Sequence, residues 1–163
     1  MKRAVVPGTF DPITAGHVDV ITRAAQIFDE VVVAVAASVK KNPIFPQERR
    51  VELAREAVSH LPNVSVTCFD GLLVDCVDQL DAQVVVKGLR AITDFEYEFQ
   101  MNALNFELNH SLETMFIMSP PKYMYLSSSI IREMASMGGN IHGFVPDCVE
   151  EALKEQFSEH YSD

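Results

Sequence analysis

Short apolar runs, each bounded by polar or turn residues, recur along the chain at residues 4–6, 31–36, 64–69, 84–86 and 114–118, and most are rich in Val or Ile. Runs of that length and composition predict five buried strands. Between them the apolar positions recur at steps of three and four: Val18, Ile21, Ala25 and Phe28 in the first interval, Val51, Ala54 and Val58 in the second. That spacing gathers the apolar side chains on one stripe of a helix. A shorter helix is expected over residues 72–80, and a longer one from Thr93 and Asp94, with Thr93 as its cap and Glu96 three residues on. Two more helices are expected near residues 128–137 and 146–157, after the last strand. Strands alternating with helices imply parallel pairing through right-handed crossovers, hence an α/β fold: one doubly wound domain over residues 1–163, with a five-stranded parallel sheet and C-terminal helices.

Composition agrees with that picture and narrows the chemistry. With 163 residues, 48% hydrophobic and 22% charged, the chain fits one domain with a full core. Met1-Lys2-Arg3 runs directly into the first strand, and no apolar segment is long enough for a signal peptide or a membrane span, so a cytoplasmic protein without a membrane partner is expected. The net charge of −10 argues against a nucleic-acid partner. A small phosphorylated ligand needs only a few cations in one cleft. Lys40, Lys41, Lys87, Arg90, Lys122 and Arg132 all fall near strand ends or loop-to-helix junctions, where ligand sites of open α/β sheets gather. The three cysteines, Cys68, Cys76 and Cys148, form no C-x-x-C pair and are expected to be buried, reduced thiols. The methionines at 115, 118, 124, 134 and 137 are expected to fill the core. The histidines at 60, 110, 142 and 160 lack ligand spacing.

The first strand leads into Pro7-Gly8-Thr9-Phe10-Asp11-Pro12-Ile13-Thr14-Ala15-Gly16-His17 and then into the first amphipathic helix. Neither G-x-G-x-x-G nor G-x-x-x-x-G-K-[ST] is present at this turn, which sets aside the usual dinucleotide and P-loop sites. Instead Gly8 permits close approach of backbone to a ligand, and free N–H groups at the helix start are expected to join the His17 imidazole around phosphate oxygens. A second hydroxyl-rich helix start, Ser127-Ser128-Ser129 with Arg132 one turn on, follows the fifth strand.

G-T-F-D-P with T-x-G-H early and S-S-S-x-x-R late resemble the paired signatures of the nucleotidyltransferase superfamily. With Lys41 and Pro43 after the second strand, Gly88-Leu89-Arg90-Ala91 after the fourth, and Asp94-Phe95-Glu96-Tyr97-Glu98, nearly the whole chain resembles the bacterial phosphopantetheine adenylyltransferase family. The resemblance implies a Rossmann-like domain that transfers AMP from ATP to 4′-phosphopantetheine, giving dephospho-coenzyme A and pyrophosphate without a covalent intermediate. The nucleophile is an ionised phosphate, so positioning and charge carry the reaction rather than a general base. His17 is the expected donor to the α-phosphate oxygens, Thr9 the residue holding the attacking phosphate, and Lys41 the cation between both reactants. The resemblance further implies that Thr9, Lys41, Leu73 and Lys87 contact 4′-phosphopantetheine. On the same ground Thr9, Phe10, His17, Gly88, Leu89, Arg90, Glu98, Tyr123, Met124, Tyr125, Leu126, Ser127, Ser128 and Ser129 contact ATP. It also implies magnesium accompanying ATP and a homohexamer. Arginine is common in this family where Lys87 stands, and asparagine where Ala15 stands; lysine keeps the charge but loses the planar two-pronged contact with phosphate.

Other readings share parts of this pattern. A nucleotidyltransferase acting on nicotinamide mononucleotide, or one using CTP, would have the same two helix starts. A nucleotide-binding sensor could hold ATP on the same sheet without transferring anything. Lys41 and Lys87 speak against the sensor, which needs no second anionic pocket. Taken singly, Lys40 and Lys41 read as a solvated pair, the serines as a helix cap, and Asp94 and Glu96 as an acidic first turn.

Overall fold

The computed structural model describes residues 1–37 and 42–161. Five strands, β1 (Arg3–Gly8), β2 (Glu30–Ala36), β3 (Val64–Phe69), β4 (Val84–Leu89) and β5 (Glu113–Met118), form one parallel sheet in the order β3-β2-β1-β4-β5. Six helices alternate with and follow them: α1 (Ala15–Ile27), α2 (Gln47–Ala57), α3 (Leu73–Gln79), α4 (Ile92–Leu108), α5 (Ser128–Ser136) and α6 (Asp147–Gln156). The α/β, Rossmann-like architecture expected from the sequence is present.

Strand residues alternate between two cores. Ala4, Val6, Val31, Val33, Val35 and Val86 face α1, α2, α5 and α6, while Val5, Ala34 and Val85 face Val74, Cys76 and Val77 of α3. Both faces of the central strands are thus covered, which explains why they read as continuous apolar runs. The outer strands differ from the expectation of burial. β3 and β5 are the sheet edges, their residues alternate in exposure, and Met115 and Met118 stand 39% and 70% exposed rather than in the core. Helix α4 also starts two residues earlier than a Thr93 cap would place it, with Ala91 at its cap and no side-chain cap bond.

Strand order reverses at β1, since successive strands run outward through β2 and β3 on one side and through β4 and β5 on the other. A crevice at the carboxyl ends of β1 and β4 is where an open sheet of this kind binds its ligand.

Candidate functional site

The β1–β4 ladder pairs only Ala4 with Val84 and Val5 with Val85, whereas β1 stays paired with β2 as far as Gly8 and Val35. Beyond Val5 the two central strands separate, and α1 closes over the gap. A Cβ on Gly88 would come within 2.9 Å of Val20 Cγ2, so the missing side chain lets α1 lie directly on the end of β4. After β1 the backbone turns at Phe10, whose φ of 50° is unusual for a bulky residue. The Phe10 ring is folded back under Gly8, where a Cβ would meet it at 3.0 Å. A cavity of about 560 Å³ opens at this point.

His17 is fixed on the cavity wall by the start of its own helix. Thr14 is the N-cap: its Oγ1 accepts from the His17 backbone N–H at 3.3 Å, and its own N–H donates to His17 Nδ1 at 2.9 Å. A backbone N–H is always a donor, so Nδ1 carries a lone pair and the neutral ring's proton lies on Nε2. The Phe10 ring meets the imidazole edge-on, centroids 5.0 Å apart. Burial, and secondarily the charge of Arg90, lower the His17 pKa from 6.5 to about 4. The ring is therefore a neutral, oriented N–H donor at physiological pH.

Sequence reasoning expected free N–H groups at this helix start, and most of them are engaged. Besides the Thr14 and His17 groups, the Ala15 N–H donates to the Phe144 carbonyl at 2.9 Å. What the α1 terminus offers the cavity is chiefly its positive dipole end and the imidazole.

The late motif is bound to the early one. Ser127 caps α5 through Ile130 N–H, Ser128 Oγ donates to the Pro12 carbonyl at 2.7 Å, and Arg132 donates to the Asp11 carbonyl at 2.7 Å and to Ser129 Oγ at 3.2 Å. Arg90 Nη1 reaches the Leu126 carbonyl at 2.8 Å. Two residues without an expected site role complete the frame. The Asp11 carboxylate accepts from the N–H groups of Ile44 and Phe45, both at 3.0 Å. Arg50, only 2% exposed, donates to the carbonyls of Thr9 at 2.6 Å, Ala36 at 2.7 Å and Phe45 at 3.1 Å. Its signal was a cation three and four residues before Leu53 and Ala54, on the buried face of α2.

Of the residues expected at the site, Thr9, Phe10, His17, Lys87, Gly88, Arg90, Glu98, Leu126, Ser127, Ser128 and Ser129 all line this cavity. Leu73, Leu89, Tyr123, Met124 and Tyr125 do not. Leu73 packs against the α3 core, Tyr123 packs against the larger core with Lys122 over its ring at 4.7 Å, and Tyr125 is 84% exposed. Lys40 and Lys41 lie outside the described residues. Lys87 and Glu98, expected on different substrates, are ion-paired to each other at 2.7 Å, and Arg90 is paired with Asp94 at 3.0 Å.

Three carboxylates line the cavity, Asp11, Asp94 and Glu98, and each is already engaged by a protein partner. The described residues therefore offer no ready magnesium cage. His142, Asp147 and Glu150 lie together elsewhere, with potential ligand atoms within 4.8 Å of one another, although Lys154 Nζ sits 2.7 Å from Glu150. Hydrogen bonds from Lys154 and His142 hold the Glu150 carboxyl below its usual pKa. Cys76 is buried in the α3 core, where burial pushes its thiol pKa up, and Cys68 is exposed rather than buried. No described helix is long and apolar enough to cross a membrane.

Known proteins are similar to this chain. The family model described as cytidylyltransferase-like matches residues 5–134. The phosphopantetheine adenylyltransferase of Caldanaerobacter subterraneus subsp. tengcongensis is 50% identical over 157 residues, spanning 96% of this chain and 98% of its own. That of Symbiobacterium thermophilum is 53% identical over 158 residues, spanning 97% and 98%. Among solved structures, a Vibrio parahaemolyticus protein provisionally described as a nicotinate-nucleotide adenylyltransferase superposes with a TM-score of 0.65. It is 20% identical over 94% of this chain and 99% of its own, a likeness that bears on the fold alone.

Proposed function

The chain belongs to the phosphopantetheine adenylyltransferases of the cytidylyltransferase-like family, and from that membership we propose that it transfers AMP from ATP to 4′-phosphopantetheine. The products are dephospho-coenzyme A and pyrophosphate, the penultimate step of coenzyme A synthesis. The observation that carries the mechanism is the neutral imidazole of His17, fixed by Thr14 with its Nε2 proton available on the cavity wall.

A phosphate monoester with a second pKa near 6 is largely a dianion at neutral pH and requires no side chain to deprotonate it. One of its oxygens attacks the α-phosphorus of ATP in line with the leaving group. The new P–O bond forms as the bond from the α-phosphorus to pyrophosphate breaks, and no covalent enzyme intermediate arises. Negative charge on the α-phosphate oxygens is met by the Nε2–H of His17 and the positive end of α1, both fixed before the substrates arrive. Thr9, exposed at the cavity with its carbonyl held by Arg50, is positioned to bind the attacking phosphate through its hydroxyl or N–H. Lys87 and Arg90 supply cations to the same cavity. We assign Lys41 to the charge between the two reactants, and Leu73 to the pantetheine arm, from the family resemblance alone.

Magnesium enters in this reading as part of the ATP substrate, held by phosphate oxygens, and no step depends on a protein cage for it. The exposed Leu104, Phe106 and Leu108 in the last turns of α4 support self-association, which we assign as a homohexamer in the cytoplasm.

The test offers ATP with 4′-phosphopantetheine, ATP with nicotinamide mononucleotide, and CTP with glycerol 3-phosphate, and identifies products by mass. Dephospho-coenzyme A from the first mixture alone is expected. Its absence, or turnover of either other pair at a comparable rate, would remove the substrate assignment.

A further inference from the structure

Among the described residues, the cations on the cavity wall are already occupied. Lys87 Nζ lies 2.7 Å from Glu98 Oε2, while Arg90 holds Asp94 through Nε at 3.0 Å and Nη2 at 3.4 Å. Arg132, the remaining lysine or arginine on the wall, donates to a carbonyl and a hydroxyl. A cleft that receives two polyanions thus begins with its β4 cations neutralised by carboxylates of its own. Both carboxylates come from α4, four residues apart and therefore on one face of that helix.

Among the described residues of one subunit, few other side chains fasten this part of α4. Phe95, Tyr97 and Phe99 around the two carboxylates are exposed, and Asn105, further along, is the one buried residue among those described on the helix. The described side-chain bonds that join its first two turns to the cavity wall are those of Asp94 and Glu98.

We propose that Asp94 and Glu98 are built-in counter-anions, which occupy Arg90 and Lys87 until ligand phosphates displace them, and that the N-terminal half of α4 loosens from the cavity wall as they do. The inference rests on the reading above only in taking this cavity as the phosphate site. The ion pairs divide the protein between closed and anion-competent states, so the apparent affinity for any phosphate is lowered by the competent fraction. A ligand dense in negative charge overcomes that competition and a singly charged anion does not. After reaction the carboxylates return to their cations and favour release of pyrophosphate.

Inorganic pyrophosphate binding, measured by calorimetry at fixed ionic strength, tests this without turnover. Glu98→Gln and Asp94→Asn are each expected to tighten binding about three- to tenfold, the order expected for freeing one partly exposed ion pair, and the double variant to tighten it further. Glu96→Gln removes the same charge from an exposed position on α4 and is expected to change affinity less than twofold. Amide hydrogen exchange in the first turns of α4 is expected to quicken when wild type binds pyrophosphate, and to be fast already in the ligand-free double variant. Unchanged or weaker binding in Glu98→Gln and Asp94→Asn overturns the proposal, as does equal tightening by Glu96→Gln. Exchange in α4 indifferent to pyrophosphate, or no detectable binding by any of these proteins, overturns it too. Binding in the expected order by a protein that makes no dephospho-coenzyme A would remove the substrate assignment and leave this inference standing.

Discussion

The backbone N–H of Thr14 donates to Nδ1 of His17 across 2.9 Å, and that one bond fixes the cap of α1 and the tautomer of the imidazole together. A protonated Nδ1 would set two donors against each other. The protein thus holds a histidine on the cavity wall as a neutral donor, with its proton on the nitrogen away from the helix.

The titration of that ring follows from its burial and its fixed Nδ1. Nitrogen-resolved NMR should find His17 as the neutral Nε2–H tautomer from pH 8 down to about pH 5, with protonation centred near pH 4. Because the folded pKa of about 4 lies below the unfolded 6.5, the unfolded chain takes up a proton first as pH falls. The contribution to stability is therefore complete above pH 6.5 and is lost as pH drops toward 4, by up to about 3 kcal/mol. Chemical denaturation of wild type and His17→Gln across that window isolates the contribution of the imidazole, since glutamine three residues past a threonine cap can still accept the cap's N–H. A midpoint for His17 near 6.5 would contradict the account.

Gly88→Ala tests how α1 is seated. The added Cβ would lie 2.9 Å from Val20 Cγ2, so either the Val20 side chain rotates or α1 shifts on β4, and a shift of α1 carries His17 with it. A stability loss of about 1–3 kcal/mol is expected by denaturant titration, with a fall in turnover. Val20→Ala in the same chain makes room for the methyl group and should recover much of the lost turnover. Turnover in Gly88→Ala equal to wild type would show that the α1–β4 approach does not set the catalytic geometry.

Arg50 and Asp11 should matter more for stability than their distance from the chemistry suggests. Arg50→Met leaves the carbonyls of Thr9, Ala36 and Phe45 without this donor and is expected to cost about 3 kcal/mol or more. Asp11→Asn keeps the shape but turns a donor toward one of two N–H groups, for about 1–3 kcal/mol. Urea midpoints measure both. Losses below 0.5 kcal/mol would mean that these bonds do not hold the Thr9 turn.

The strands and the order of the helices were legible because strands covered on both faces read as apolar runs and crossover helices show a single stripe. Exposure at the edges was less legible: Met115 and Met118 sit in a run that looks as apolar as β2, and only the sheet order makes β5 an edge. Within the site, T-x-G-H and the three serines announced themselves through residue types suited to phosphate. The tautomer of His17 could not be read, because it depends on the direction of one backbone N–H. The pairing of Lys87 with Glu98 was equally hidden, since the two residues are eleven apart in sequence and meet only because α4 leaves β4 at a particular angle. Arg50 gave a weak sign, a charge on a buried helix face, that becomes meaningful only when three chain segments converge on it.

The most direct test is the turnover of AMP transfer at saturating ATP and 4′-phosphopantetheine in wild type, His17→Ala and His17→Gln. His17→Ala is expected to lower kcat by about 10²–10³ with the fold intact and KM little changed, as for one lost transition-state donor. His17→Gln should recover the cap but not the rate, separating the two roles of the ring. Near wild-type kcat in His17→Ala, or a change confined to KM, would contradict the claim that His17 acts on the phosphorus under attack.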